Sequence, residues 1–430
     1  MKRVVVTGMG AVSPFGIGKE TLWHKVLKQE NAIRSIPEYQ LKGDLVKIGA
    51  PLPKVDFNQY AELDNELFSR LPEDDDIQSF FLAAYEAVQQ SGLDPRKLSN
   101  TSRIGSYIAD RDISTDVYMS QIAPIMAKCT DGKSFNRKKF YDLLAQNNVG
   151  KKMPYHDSDS INHFVSRAYK IRGPQLAIGT ACASGNNAIG EAFVHIRQGR
   201  LDAILAGGAY NFSITGMIGF TRIGALTTNP DPETACSPFD NRRSGFVMGS
   251  GCGVLMLEEL EHAKARGANI LCEIKGYGAY SDAYRATDPD PEASGATRTI
   301  QAALDTAELN PEDIGYVNAH GTSTKMNDLS ETRALKNVFG EHALKIPVSS
   351  TKSMIGHGIM AAGALEAIVC IESLRNNVVH GTRNWGERDP DLDLDYVPEV
   401  ARDHRVDHIL SNNFGFGGQN ASVIFSRFNR

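Results

Sequence analysis

Apolar positions along this chain fall into short runs of strand length, divided by glycines, and into longer stretches with helical spacing. Residues 4–6 (VVV) read as an opening strand, followed by a glycine turn at Gly8-Met9-Gly10. The stretch 78–91 (QSFFLAAYEAVQQS) has a helical pattern that stops before Gly92, and 104–109 (IGSYIA) reads as a buried strand. From about 110 to 160 the pattern dissolves into polar, irregular sequence, which predicts an insertion or cap. A strand-like QLAIGTA then leads to Cys182 and a helix with Ala188, Ile189, Ala192, Phe193 and Ile196 on one face. A strand follows at 203–206, and 245–260 (GFVMGSGCGVLMLEEL) reads as two strand-like pieces joined by glycines.

The second half repeats this rhythm. Strands are predicted at 271–275, 315–319 and 346–349, with a turn HGTST and a helix over roughly 328–338. From Gly358 to Leu374 a helix carries only Glu366 and Glu372 as charges. A helix apolar nearly all round is buried on most faces, which suggests a place between two sheets. Strands alternating with helices imply an α/β fold. Both halves run strand, active turn, apolar helix, without a repeat at the level of letters. The division falls between 1–260 and 261–430, the boundary lying within 261–270.

Composition narrows the class. At 430 residues the chain exceeds the roughly 250–300 at which one core stops growing. With 41% hydrophobic and 23% charged residues it is an ordinary globular composition. A formal charge of −5 gives no pull toward nucleic acid or an anionic membrane. Six scattered cysteines without a CxxC pair fit neither a metal finger nor a disulfide framework. The basic start runs into a short apolar stretch broken by glycines and Pro14, a strand and loop rather than a signal peptide. No apolar run approaches the ~20 residues that cross a bilayer. A reducing, cytoplasmic setting is expected.

Three junctions carry candidate chemistry. Cys182, in GTACASG, sits where a strand ends and a helix begins, and a helix N-terminus lowers a thiol pKa. His320 (NAHGTST) and His357 (STKSMIGHG) occupy similar strand-to-helix junctions, where α/β folds gather active residues. A cysteine with histidine partners can perform nucleophilic catalysis. The loop NNFGFGGQN (412–420) could present backbone N–H groups to an oxyanion. Gly8-Met-Gly10 resembles a dinucleotide loop, but Ser13 and Pro14 break that pattern, leaving a structural turn.

TACASG, NAHGTST, STKSMIGH and NNFGFGG, in this order, resemble the signature set of β-ketoacyl-acyl-carrier-protein synthases, type II enzymes and related polyketide ketosynthases. SPFDNRRSGFVMGSG (237–251) and VVVTGMGAVSPFG are similar to that family too. The likeness covers 1–20 and 170–430 and is weak over about 50–165. It implies a thiolase-like fold, duplicated halves in five αβαβα layers. It further implies decarboxylative condensation of a Cys182-bound acyl chain with malonyl-acyl-carrier protein. Residue by residue, Cys182 and Phe414 would form the oxyanion hole, with Phe414 also the gate. His320 and His357 would bind the malonyl thioester, Lys352 and Glu331 would support them, and Thr322 and Thr324 would hold the pantetheine arm. No cofactor or metal is implied beyond the phosphopantetheine that arrives on the carrier. The partners implied are acyl- and malonyl-carrier protein and a second subunit, either a copy or a chain-length subunit, with no nucleic acid or membrane.

Departures from the family pattern are Lys325 and Met326 after HGTST, Gln419 for threonine and Ser250 for an acid. The segment 62–76 is acidic where a basic docking patch is common, while Lys133, Arg137, Lys138, Lys139, Lys151 and Lys152 form a basic stretch that could dock the carrier. A thiolase is disfavoured because the terminal loop lacks a second cysteine. A coenzyme-A-initiating synthase is disfavoured because two histidines are present. The alternative of a non-catalytic chain-length partner is disfavoured by Cys182 itself.

Overall fold

The computed structural model describes residues 1–37, 46–57, 60, 64–68, 71, 75–110, 118–149, 159–211 and 213–429. Its main strands are β1 (Val4–Ser13), β2 (Ile104–Ala109), β3 (Gln175–Ile178), β4 (Ala203–Tyr210) and β5 (Gly251–Glu259) in the first half. The second half has β6 (Cys272–Ser281), β7 (Tyr316–Asn318), β8 (Val348–Ser349), β9 (His408–Gly415) and β10 (Gln419–Ser426). They run β3-β2-β4-β5-β1 and then β6-β10-β9-β7-β8, with the join at β1 and β6. There Val4–Val6 lie antiparallel to Cys272–Ile274.

The strand orders of the two halves are mirror statements of one rule: third, second, fourth, fifth, first. Pair directions match as well. β2 is parallel to β3 and β4 as β7 is to β8 and β9, and the fifth strand is antiparallel to its neighbours in both halves. The principal helices are α1 (Asp75–Ser91), α2 (Ser184–Arg197), α3 (Ser294–Ala307), α4 (Lys325–Phe339) and α5 (Ala362–Asn376). α1 covers β1 and β5, α3 covers β6 and β10, and α2 and α5 lie between the halves, touching strands of both. These are the five αβαβα layers. Every residue of α5 from Ala362 to Leu374 is buried, Glu366 and Glu372 included.

Gly8 and Gly10 do not form the expected turn. β1 continues through both, with a bulge between Val6 and Gly8. A Cβ at Gly8 would stand 2.1 Å from the Ala87 carbonyl of α1, and one at Gly10 equally close to that of Ala83. Gly276 and Gly278 of β6 meet α3 in the same way, 2.2 Å from the Ala303 carbonyl and 2.1 Å from that of Thr299. The halves therefore do share letters, Gly-x-Gly-Ala at 8–11 and 276–279, because a covering helix lies directly on the first strand of each. The two central helices cross with similar economy. Cβ atoms at Gly185 of α2 and Gly363 of α5 would come within 2.9 Å and 2.6 Å of the other helix's backbone.

Two other expectations change. The first part of 245–260 makes isolated bridges, Leu226 with Phe246 and Met248 with His357, and only β5 is a full strand. Within 118–149 the chain is helical at Ala123–Lys128 and Arg137–Gln146, around a small core of Ile125, Cys129 and Val149. Asn136 caps the second helix by accepting the Lys139 N–H. Lys151, Lys152 and much of the acidic run 62–76 lie outside the described residues.

Candidate active site

Three backbone elbows set the site. Ala181, immediately before Cys182, has φ 49°; Ser323, between Thr322 and Thr324, has φ 69°; Ile359, two residues after His357, has φ 43°. Non-glycine residues hold such angles at a cost of about 1–3 kcal/mol each, and only where their surroundings enforce them. The first two elbows follow the ends of β3 and β7, the third follows the helical turn Lys352–Ile355, and all three border the cavity that holds the functional side chains. That cavity, about 300 Å³, has Ile223 and Met326 at its exposed rim and Cys182, His320 and His357 within it. Ring or sulfur atoms of these three residues all lie within 4.8 Å of one another.

Each histidine is held from behind, His357 through its ring and His320 through its backbone. The His357 Nδ1 accepts the Ile359 N–H at 3.2 Å, so its Nε2 carries the proton, and that Nε2 is buried with no partner among the described residues. The peptide at His357 is tied to the 245–250 segment through the Val247 carbonyl at 2.7 Å. Glu331 of α4 accepts the backbone N–H groups of His320 and Gly321, both at 2.8 Å, and thereby fixes the His320 turn. The two rings meet edge to face, centroids 5.2 Å apart.

Behind the histidines, Lys352 Nζ lies 2.5 Å from Glu366 Oε1, both side chains 1% exposed. The other Glu366 oxygen accepts the Asn413 amide at 2.8 Å. Burial pushes the Glu366 carboxyl above its ordinary value, with the Lys352 ammonium opposing. Burial, assisted by the same ammonium, drives both His320 and His357 well below the usual imidazole value, so both are neutral at physiological pH. Burial raises Glu331 to about 7 against its two N–H donors.

Cys182 departs from expectation. The helix start alone favours a thiolate, but burial pushes this thiol up to about 11, while the Lys352 charge and the Phe416 N–H pull the other way. The resting group is a thiol.

The family models agree with this geometry. The N-terminal domain of β-ketoacyl synthase matches residues 1–263 and its C-terminal domain residues 271–385. The chain belongs to the β-ketoacyl synthase family. It is 41% identical to 3-oxoacyl-[acyl-carrier-protein] synthase 2 of Staphylococcus aureus (strain COL) over 429 residues, 99% of each chain. The protein of the same description from Coxiella burnetii is 38% identical over 432 residues, again 99% of each. Among solved structures, a β-ketoacyl synthase from Burkholderia phymatum STM815 aligns over the whole of both chains with TM-score 0.83 and 33% identity. A type II polyketide ketosynthase in complex with its acyl-carrier protein gives TM-score 0.85 at 30% identity, covering 99% and 100% of the two chains.

Within this synthase, most residues singled out in the sequence come together. Thr322 and Thr324 line the cavity with hydroxyls 2.9 Å apart, and Lys325 and Met326 form its rim. Ser250 is buried and donates to Asn211 at 2.9 Å. Gln419 is exposed beside the cavity residues Gly418 and Asn420. One assignment shifts. The backbone N–H that meets the Cys182 sulfur belongs to Phe416, not Phe414. Phe414 instead sets its ring against His320, centroids 5.9 Å apart. The loop can approach because residue 415 is glycine: a Cβ there would stand 3.0 Å from the Cys182 nitrogen. Glu331 braces the His320 turn, and the carboxylate that pairs with Lys352 is Glu366. Glu366 had a signal, as one of two acids in an otherwise apolar helix, since buried acids are almost always paired. Asn413 had none beyond its place beside the glycine loop.

Proposed function

We propose that this synthase extends acyl chains by decarboxylative condensation on a carrier protein, with Cys182 as acyl acceptor. The observation that carries this reading is the convergence of one thiol and two neutral imidazoles within 4.8 Å in a single cavity. In the first step the Cys182 sulfur attacks the carrier-bound thioester. Its proton leaves with the pantetheine thiol, and the acyl group stays on sulfur. The N–H groups of Cys182 and Phe416 stabilise the tetrahedral oxyanion. Malonyl-carrier protein then enters, its arm held by Thr322 and Thr324. The His357 Nε2–H, together with His320, stabilises the enolate that forms as carbon dioxide departs. That carbon attacks the Cys182 thioester and expels the Cys182 thiolate, which takes a proton from water, while the 3-oxoacyl chain is left on the carrier.

The phosphopantetheine arm is the sole prosthetic group in this scheme, which needs no metal. A cysteine and two histidines at this spacing could also ligate zinc, but a metal there would occupy the sulfur that must be acylated. Dimerisation, with a copy or a chain-length subunit, is supported by β3, which among the described residues pairs only with β2 and leaves Gln175–Ile178 as an open edge. A reducing cytoplasm is supported by six cysteines that are all free. Among the described residues no helix is long and apolar enough to cross a membrane. Exposed Lys133, Arg137, Lys138 and Lys139 offer an acidic carrier a docking face.

The test is mass spectrometry of Cys182 after incubation with a panel of acyl-carrier proteins, followed by malonyl-carrier protein. Acylation at Cys182 and a 3-oxoacyl product are expected. Condensation by a Cys182→Ala variant would overturn the reading.

A further inference from the structure

Beneath the site lies a polar knot that the condensation steps do not use. His380 is fully buried, as are Tyr316, Asn318, Ser349 and Thr351 around it. Its Nδ1 stands 2.9 Å from the Gly381 carbonyl, which can only accept, so Nδ1 carries the proton and Nε2 is the acceptor. The Thr351 hydroxyl at 3.0 Å and the Asn318 amide at 3.2 Å both converge on that Nε2. Asn318 further donates to Thr351 at 3.0 Å, and the Tyr316 and Ser349 hydroxyls meet at 2.6 Å.

The positions of these partners give the knot its meaning. Asn318 ends β7, two residues before His320. Thr351 immediately precedes Lys352. Ser349 ends β8 and lies opposite Asn318 in the sheet. The chain after His380 continues the same brace: Thr382 accepts the Ser350 N–H at 3.1 Å, and Ser350 in turn donates to the Gly321 carbonyl at 2.6 Å. One short segment therefore grips both the His320 turn and the Lys352 turn from below. Burial drives His380 down to about 4, so the imidazole stays neutral and its acceptor intact at any physiological pH.

We propose that His380 is a positioning residue for condensation, clamping the ends of β7 and β8 so that His320 and Lys352 keep their placement against Cys182. This rests on the condensation reading above. Cys182 is held by α2 and the glycine loop, outside the knot, so the two chemical steps separate. With His380→Leu, acylation of Cys182 remains at the wild-type rate while kcat for condensation falls about 100-fold, the scale of a displacement near 1 Å. KM for malonyl-carrier protein stays unchanged. His380→Gln, whose amide can donate to Gly381 and accept from Thr351, recovers most of the loss. Thr351→Val removes one arm of the knot without touching the ring and lowers the same kcat, which covers failure of the Leu variant to fold. Unchanged condensation in a folded Leu or Val variant overturns the proposal. So does a fall of acylation and condensation together, in step with the folded fraction. Wild-type protein that neither acylates nor condenses defeats the underlying reading, and does so before any substitution is made.

Discussion

The two halves share a strand order and a Gly-x-Gly-Ala first strand, yet they contribute opposite kinds of chemistry. The first half supplies one residue, Cys182, with its sulfur and its backbone N–H, from a junction among small residues, Ala181, Ala183 and Gly185. The second half supplies both imidazoles, the Lys352–Glu366 pair, Glu331 and the glycine loop, most of them fully buried. Features that serve packing recur in both, because each half must seat a covering helix on its first strand. Features that serve reaction differ, because they stand at strand ends, where side chains can change without disturbing the sheet.

Removing a group from one half should therefore leave the other half's step intact. The largest effect is expected for His357→Asn: condensation falls on the order of 10²–10³-fold, while mass spectrometry still finds Cys182 acylated. Equal loss of both steps would erase the division of labour. Next, Lys352→Leu leaves Glu366 buried without its cation and should cost about 3–5 kcal/mol in urea denaturation. The Lys352→Leu, Glu366→Leu double variant should cost less than the sum of the singles.

Gly10→Ala and Gly278→Ala test the recurring feature. Each should lose about 1–3 kcal/mol, and the two losses should match, because each Cβ meets a helix carbonyl at the same distance. Unequal losses would mean that the halves bear unequal strain. Between pH 5 and 7, acid should then act chiefly through the buried histidines of the second half. Imidazoles of the unfolded chain titrate near ~6.5, whereas His320 and His357 titrate well below that in the fold. The unfolded state thus binds more protons in that window, and stability drops as pH falls below about 6.5. Replacing His357 with Asn should make the drop shallower in a melting series across pH 5–7, and replacing Cys182 with Ala should leave the slope unchanged. The smallest effect belongs to the surface: reversing Lys138 and Lys139 to Glu should slow carrier association at low salt and have little effect at high salt.

Much of the site was legible before any fold was drawn. Cys182, His320, His357, Lys352, Thr322 and Thr324 sit in local motifs whose glycines and small residues mark strand-to-helix elbows, and local sequence controls an elbow. Glu366 and Phe416 were harder. The first is one acid on a helix of Ala, Leu and Ile, and its role depends on which loop passes that helix. The second differs from Phe414 only in which backbone N–H reaches the sulfur, a matter of how far the loop advances. The GxG of β1 was misread because a turn and a close helix contact ask for the same residue.

By itself, the sequence determined the α/β alternation, the buried character of α5 and the residue types that carry the reaction, since periodicity and short motifs are written along the chain. Tertiary structure alone decided the pairing of Lys352 with Glu366, the burial that makes Cys182 a resting thiol and the imidazoles neutral, and the knot around His380. Those properties come from desolvation and from contacts between segments far apart in the chain, and neither is visible in the order of residues until two halves close on one cavity.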